Sequence, residues 1–544
     1  MEPRDLLEEK DPRWRCDENQ VAPLARICPD GVRTILKGVS QWGLKEIWLG
    51  QKIDNHDRWA HSQGVLAVTA RWLETLYRDT GVEWHPWPLQ DLKHGIYLAG
   101  MAALLHDFGH LPFAHLLAEV LESINWVPRR AGQAGMEGWV LRERFDEPIF
   151  GVKWSLLATA VGVTSTEDAR NAVQDLILGR FGVPWIQAIL NSAVDADKID
   201  YLSRDSRFLE GAGWPITSRM LTKSDKWLDE FLSDQRVSHS GLLCLGGRSA
   251  IAAADLLRER IFLHDRFYLS PEIRVAERMA FEIIQQFLIR AVMSDEFRRG
   301  TPEIGRVAGY GERFQSEGVD PIEAKGRLVV DVMNPLSKEQ GGGSMREFRI
   351  LQRMLERLRD SAIDAGYLQL LEKCFGKLEE LLPRPDEGEA QRAPISDIHK
   401  LAKSSLVREP LVFHREHHAV ARDALRPLQH RYCREILIDI AKLPRVLAMP
   451  GRWRASPDPD ARDGVDYGIL VPKGPVSAWG PGSKAVVPLT DNAVRHLERP
   501  YCRVVVIAPS GGSSARVEYI WDRVRSVLLE AGVALQATNR AEVS

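Results

Sequence analysis

The stretch from Gly95 to Asp107, GIYLAGMAALLHD, is apolar nearly all round until its last two residues. A helix with no polar face has no side to give to water, so it must run through the middle of a helical core. It ends on His106 and Asp107, and Asp107 is the only acidic residue between Gly95 and Ala118. A carboxylate at the end of a buried helix is costly unless it is paired or binds a metal. His106, His110 and His115 surround it in the run LLHDFGHLPFAH. Imidazole with carboxylate is a donor set suited to a divalent transition metal such as iron, manganese, zinc or cobalt.

Two further segments carry matching residues. Upstream, Arg58–His61 (RWAH) opens a helix whose apolar stripe is Val65, Val68, Trp72, Leu73 and Leu76. Downstream, VDADKIDYLSRD places Asp197, Tyr201 and Asp205 at i, i+4 and i+8, on one helix face, with Lys198 beside it. Arg260, His264 and Tyr268 repeat that spacing in RIFLHDRFY. Helices are also expected over Phe113–Ile124, with Pro112 in the first turn, over Pro184–Arg204, and over Ser249–Glu296 with a break at Pro271.

The spacing of breaks predicts a mainly α chain: an all-α core, a further helical region, and a small mixed α/β appendage. The expected divisions are an N-terminal extension over 1–40, a core over 41–296 with an insert at about 125–165, a helical accessory region over 297–450, and the appendage over 451–544. Helices are expected over Met345–Leu382 and Leu411–Leu447. Strand-like runs follow at Tyr467–Val471, Ala485–Leu489 and Val504–Ala508, then a helix at Ser514–Ala531. His414, His417 and His418 read best as a solvated helix face, because no third ligand lies near. PSGGSS at Pro509–Ser514 lacks a P-loop lysine and reads as a plain loop. Trp126, Trp139 and Trp154 lie in or just after the insert and fit either a lid over a pocket or simple core packing.

Composition sets the compartment and the partners. The 72 basic and 75 acidic residues give a net charge of −3, which argues against nucleic acid or an anionic membrane as partner. Six dispersed cysteines form no CxxC pair and are too sparse for a disulfide scaffold. Met1–Lys10 has no apolar core for a signal peptide, and no apolar run is long enough to span a bilayer. A cytoplasmic protein with reduced thiols is expected.

The motif HDxGHxPFxH, preceded by His61 and followed by DxDKxDYxxRD, resembles the HD superfamily. More narrowly, it is similar to the deoxynucleoside triphosphate triphosphohydrolases over roughly Gln41–Phe287. The resemblance implies His61, His106, Asp107 and Asp197 as metal ligands, with His110 and His115 around the reacting phosphate. It implies Arg58, Lys198 and Tyr201 as phosphate and sugar contacts, and Asp205 as a carboxylate near the sugar. It implies Arg260 on the phosphates, Tyr268 against the deoxyribose, and Gln41 reading the sugar 3′-hydroxyl. A dNTP substrate carrying Mg, a nucleotide effector and a homo-oligomer follow from the same resemblance. Depletion of dNTPs in defence against phage is one role such an activity would serve.

Cleavage at the α-phosphate loads charge onto oxygens around phosphorus, and Arg58, Lys198 and Arg260 would stabilise it. His115 is the expected general acid. The chain departs from the family in one respect. Ala118 stands where a carboxylate is usual, Glu119 follows on the same helix face as its expected replacement, and no histidine occurs from Leu116 to Ala196. That departure leaves two alternatives open: a nucleotide-sensing module with little turnover, or an HD phosphodiesterase or nucleotidase with another nucleotide substrate.

Overall fold

The structure is a computed structural model of the chain. It describes residues 23–24, 26–45, 57–80, 92–124, 126, 140–141, 144–145, 151–211, 224–237, 243–293, 329, 333, 344–361, 363–381, 404–408, 410–442, 455–457, 466–470, 501–511 and 514–536. Trp139 and the expected strand at Ala485–Leu489 lie outside these residues, as does the part of the expected extension before Pro23.

The described residues are mainly helical. In chain order the helices are α1 (Asp30–Lys37), α2 (Arg58–Thr80), α3 (Leu92–Leu105), α4 (Ala114–Ser123), α5 (Trp154–Ala160), α6 (Thr166–Ile177), α7 (Pro184–Leu190), α8 (Ala196–Gly211), α9 (Ser224–Leu232), α10 (Gly247–Leu263), α11 (Pro271–Met293), α12 (Ser344–Arg359), α13 (Ala365–Leu381), α14 (His418–Arg431) and α15 (Ala515–Glu530). α3 is the central rod that its sequence demands, with every residue from Gly95 to Leu105 buried. α2 lies along α3, α8 packs on α2, and α6 covers α3 from another side. Local signals set several helix starts. Ser165 caps α6 by accepting from Asp168 N–H at 3.1 Å, and Pro184 opens α7.

One short antiparallel sheet runs β1 (Gln235–Val237), β2 (Leu243–Leu245), β6 (Asp466–Leu470), β5 (Ala455–Pro457). A second runs β4 (Leu437–Lys442), β7 (Tyr501–Ile507), β3 (Leu411–His414), β8 (Leu535–Gln536), also antiparallel, with Ile440 opposite Val504 and Leu411 opposite the same residue. Helices α14 and α15 pack together, and the second sheet reaches the core where β4 and β7 meet α11. Both sheets take strands from either side of residue 450.

Three segments differ from the sequence expectation. The described part of the expected helix Leu411–Leu447, residues Leu411–Lys442, is strand, helix, strand rather than one helix. Leu411–His414 alternates buried and half-buried residues, the period of a strand, and LIDIAK is a β-branched run that pairs along β7. Pro184–Arg204 is two helices, because Asn191–Asp195 turns the chain and Asp195 accepts from Ser192 N–H at 3.0 Å and Lys198 N–H at 2.9 Å. α4 starts at Ala114, after Pro112, because Phe113 takes a left-handed conformation at φ 67°. Of the insert tryptophans among the described residues, Trp126 is buried, and Trp154 sits edge-on to Phe145 with centroids 5.0 Å apart.

Candidate metal and phosphate site

The site forms where α2, the turn after α3 and the start of α8 meet. His61 lies in the first turn of α2 and is fully buried. Its Nδ1 is 2.8 Å from Asp200 Oδ2 on α8. Facing a carboxylate, Nδ1 carries a proton, so Nε2 is the nitrogen turned to the site, where it can hold a proton or a metal ion. His106 makes the same choice: its Nδ1 donates to Ala103 O at 2.7 Å, in the last turn of α3. The two Nε2 atoms then face each other at 3.2 Å, with Asp197 Oδ1 3.1 Å from the first. Two imidazole nitrogens and a carboxylate pointed at one another need a proton or a metal cation among them. His61, His106 and Asp197 are thus a group that could hold a metal ion, with ligand atoms all within 4.8 Å of one another.

Asp107 lies beside this group, its oxygens 3.8 Å from His61 Nε2 and 3.5 Å from His106 Nε2. It is buried against Arg58 Nη1 at 2.5 Å and His110 Nε2 at 3.1 Å. Burial alone would raise the Asp107 pKa, but Arg58, His106 and His110 outweigh it and hold the carboxyl well below the usual range. Burial opposes charge on His61, yet the hydrogen bonds to Asp197 and Asp200 win and push it up to about 9. Asp197 is lowered because the His61 contact and Lys198 overcome its burial. Each shift reports a pocket of carboxylates that demands positive charge.

Asp200 is a residue the sequence reading passed over. Its burial is complete, and Arg204 closes the contact, reaching Asp200 at 3.2 Å and Ala60 O at 2.9 Å. The signal was present: Asp200 and Arg204 stand four apart on the same helix as Asp197. Gly64 makes room for it, since a Cβ there would lie 1.9 Å from Asp200 Oδ1.

The other expected residues fall into two groups. His110 is buried, and its ring meets that of exposed His115 edge-on at 5.3 Å. Tyr201, Asp205 and Tyr268 form a second cluster: the Tyr268 hydroxyl donates to buried Asp205, and the two tyrosine rings stand 6.5 Å apart. A π-helical turn over His264–Tyr268 carries Tyr268 and stacks His264 edge-on to it at 4.9 Å. Burial raises both tyrosines, so their hydroxyls stay protonated as donors. Arg260 acts electrostatically on both Tyr201 and His264. Lys198 is buried and engages Asp195 on its own turn. Gln41 lies two residues after Val39, whose carbonyl accepts from Arg58 N–H at 3.1 Å. Glu119 pairs with Arg274 Nη2 at 3.2 Å.

The turn joining His110 to α4 is strained. Phe113 and Ala114 take φ of 67° and 43°, which costs a non-glycine residue about 1–2 kcal/mol. Buried Arg144, from the insert, donates to Phe108 O and, at 3.1 Å, to His110 O.

No family model matches the chain. Its likeness to known proteins is distant. The uncharacterized protein MJ1154 of Methanocaldococcus jannaschii is 25% identical over 244 residues, 45% of this chain and 42% of that protein. A deoxynucleoside triphosphate triphosphohydrolase SAMHD1 homolog of Dictyostelium discoideum is 24% identical over 294 residues, 52% of this chain and 50% of that protein. The chain spans about half the length of the curated relatives it matches. A phosphohydrolase crystal structure from Bacteroides thetaiotaomicron aligns over 89% of this chain and 94% of its own, at 12% identity and a TM-score of 0.49. The chain's likeness to the Methanocaldococcus and Dictyostelium proteins is thus at 24–25% identity over about half of each chain.

Proposed function

We propose that the chain is a metal-dependent phosphohydrolase that converts deoxynucleoside triphosphates to deoxynucleoside and inorganic triphosphate. One observation carries the reading: α8 bears Asp197, a member of the candidate metal group, and then Tyr201 and Asp205 on the same face, with Tyr268 bonded to Asp205. Those steps are about 6 and 12 Å along a helix axis, so the three side chains form one row leading away from the candidate metal group. The triphosphohydrolase name of the Dictyostelium relative supports the same substrate class.

Iron, manganese, zinc or cobalt held by His61, His106, Asp107 and Asp197 would supply a polarised water and neutralise phosphoryl charge. Arg58, Lys198 and Arg260 orient the triphosphate and stabilise the charge that develops on it. His115, exposed and in ring contact with His110, gives its proton to the departing sugar oxygen. Asp205 and Tyr268 hold the sugar, with the Tyr268 ring as the group that would reject a 2′-hydroxyl.

A second reading is a nucleotide-binding protein with little turnover. It is favoured by Glu119, the expected partner of His115, being engaged by Arg274. Incubation with each dNTP, each NTP and a panel of nucleoside monophosphates and phosphodiesters, in turn with each metal, separates the two. Turnover of dNTPs alone supports the enzyme. Tight dNTP binding with no product, unchanged by added nucleotide effectors, supports the second reading and overturns the first.

A further inference from the structure

We propose that Glu347, on α12 and distant in sequence from every motif residue, is a positioning residue for the histidine turn of the site. Only its effect on turnover rests on the phosphohydrolase reading; its effect on the turn does not. The chain between His110 and His115 passes through two consecutive left-handed residues, Phe113 and Ala114. Such a backbone persists only where its surroundings over-determine it. Glu347 Oε1 accepts from the Phe113 N–H at 3.0 Å, and this carboxylate is buried. A buried carboxylate is retained at a cost, so its hydrogen bond holds the turn strongly.

The same carboxylate covers a second turn. Gly43 has φ +58°, and a Cβ there would meet Glu347 Oε2 at 3.2 Å. That turn carries Gln41, and its neighbour Ser40 bridges to Asp57, the residue before Arg58. One side chain therefore lies against both loops that flank the metal group. The support behind it is rigid: Phe348, Ile350 and Leu351 follow as buried residues, and α12 packs on α11. Arg144 holds the other end of the histidine loop through the carbonyls of Phe108 and His110. The accessory helix thus completes the site, and a shift of α12 against α11 would be felt at His115.

Glu347→Ala and Glu347→Gln in the full chain test this by amide hydrogen exchange. Glu347→Ala is expected to speed exchange in peptides spanning 108–117 by about tenfold or more while peptides from α6 keep the wild-type rate. Glu347→Gln keeps an acceptor oxygen and should restore slow exchange. With dNTP as substrate, the Ala variant should lose about 10- to 100-fold in kcat with KM little changed, and the Gln variant should recover most of it. Unchanged exchange at 108–117 in Glu347→Ala overturns the proposal, as does acceleration spread evenly over the whole chain. Faster local exchange with wild-type kcat also overturns the positioning role. If the wild type turns over no dNTP, the functional reading fails while the exchange data still decide the role of Glu347.

Discussion

Asp200 Oδ2 lies 2.8 Å from His61 Nδ1, and that contact decides which nitrogen of His61 faces the site. The pair joins α2 to α8, the two helices that must be in register for His61, His106 and Asp197 to converge. Replacing Asp200 with Asn removes the charge that orients the ring. The expected loss is about 10- to 100-fold in metal affinity, read by titration against a competing chelator. An Asn variant with wild-type affinity would mean that His61 needs no such partner.

Gly64 is the steric counterpart of that contact. A methyl group there would lie 1.9 Å from Asp200 Oδ1 and 2.4 Å from its Cγ, so α8 must move away. Gly64→Ala would ordinarily favour a helix, yet here it should destabilise by about 1–3 kcal/mol or more in denaturant melts, and metal content should fall with it. A more stable variant with full metal content contradicts the packing of α2 on α8.

His264 gives a pH dependence with a defined sign. Burial lowers its pKa well below the ordinary value, and Arg260, Lys45 and His115 add to the effect. The unfolded imidazole takes a proton near pH 6.5 and the folded one does not. The folded state therefore loses stability as pH falls below about 6.5, and keeps its full stability above that value. In chelator, the melting midpoint of wild type should fall faster on acidification than that of His264→Gln. Parallel curves would show that His264 is not held neutral.

Arg274 joins three elements. It meets Asp439 on β4 at 2.8 Å, Glu277 at 2.9 Å and Glu119 on α4 at 3.2 Å. Arg274→Ala leaves buried Asp439 without its partner and should cost about 3–5 kcal/mol. Glu119 is largely exposed, so Glu119→Gln should change stability by about 1 kcal/mol or less. Its kcat should stay near wild type, whereas His115→Ala should lower kcat about 10²–10⁴-fold. Equal losses in the two variants would return Glu119 to the proton relay.

The core was legible because its signals are local. α3 announced itself by having no polar face, and the HD pair, the RWAH segment and the Asp197 helix carry their residues at helical spacing. What the sequence concealed depends on contacts between distant segments. Glu347 and Phe113 are far apart in the chain, and nothing in either neighbourhood predicts their hydrogen bond. Arg144 sits in a weakly periodic insert. Asp200 was hidden differently: it stands inside the motif but one step off the face shared by Asp197, Tyr201 and Asp205. Leu411–His414 and Leu437–Lys442 are too short for an apolar run to tell strand from helix, and only pairing with β7 resolves them.

Under the proposed function, His61, His106, Asp107 and Asp197 would hold a divalent metal that neutralises charge as the whole triphosphate leaves a dNTP. The most direct test is identification of the phosphorus-containing product from metal-free protein, the same protein with metal restored, and the doubly substituted His106→Ala, Asp107→Ala protein checked for folding. The account predicts inorganic triphosphate in the metal-restored sample alone. Intact dNTP with every metal and effector, or pyrophosphate or phosphate as the first product, would contradict it.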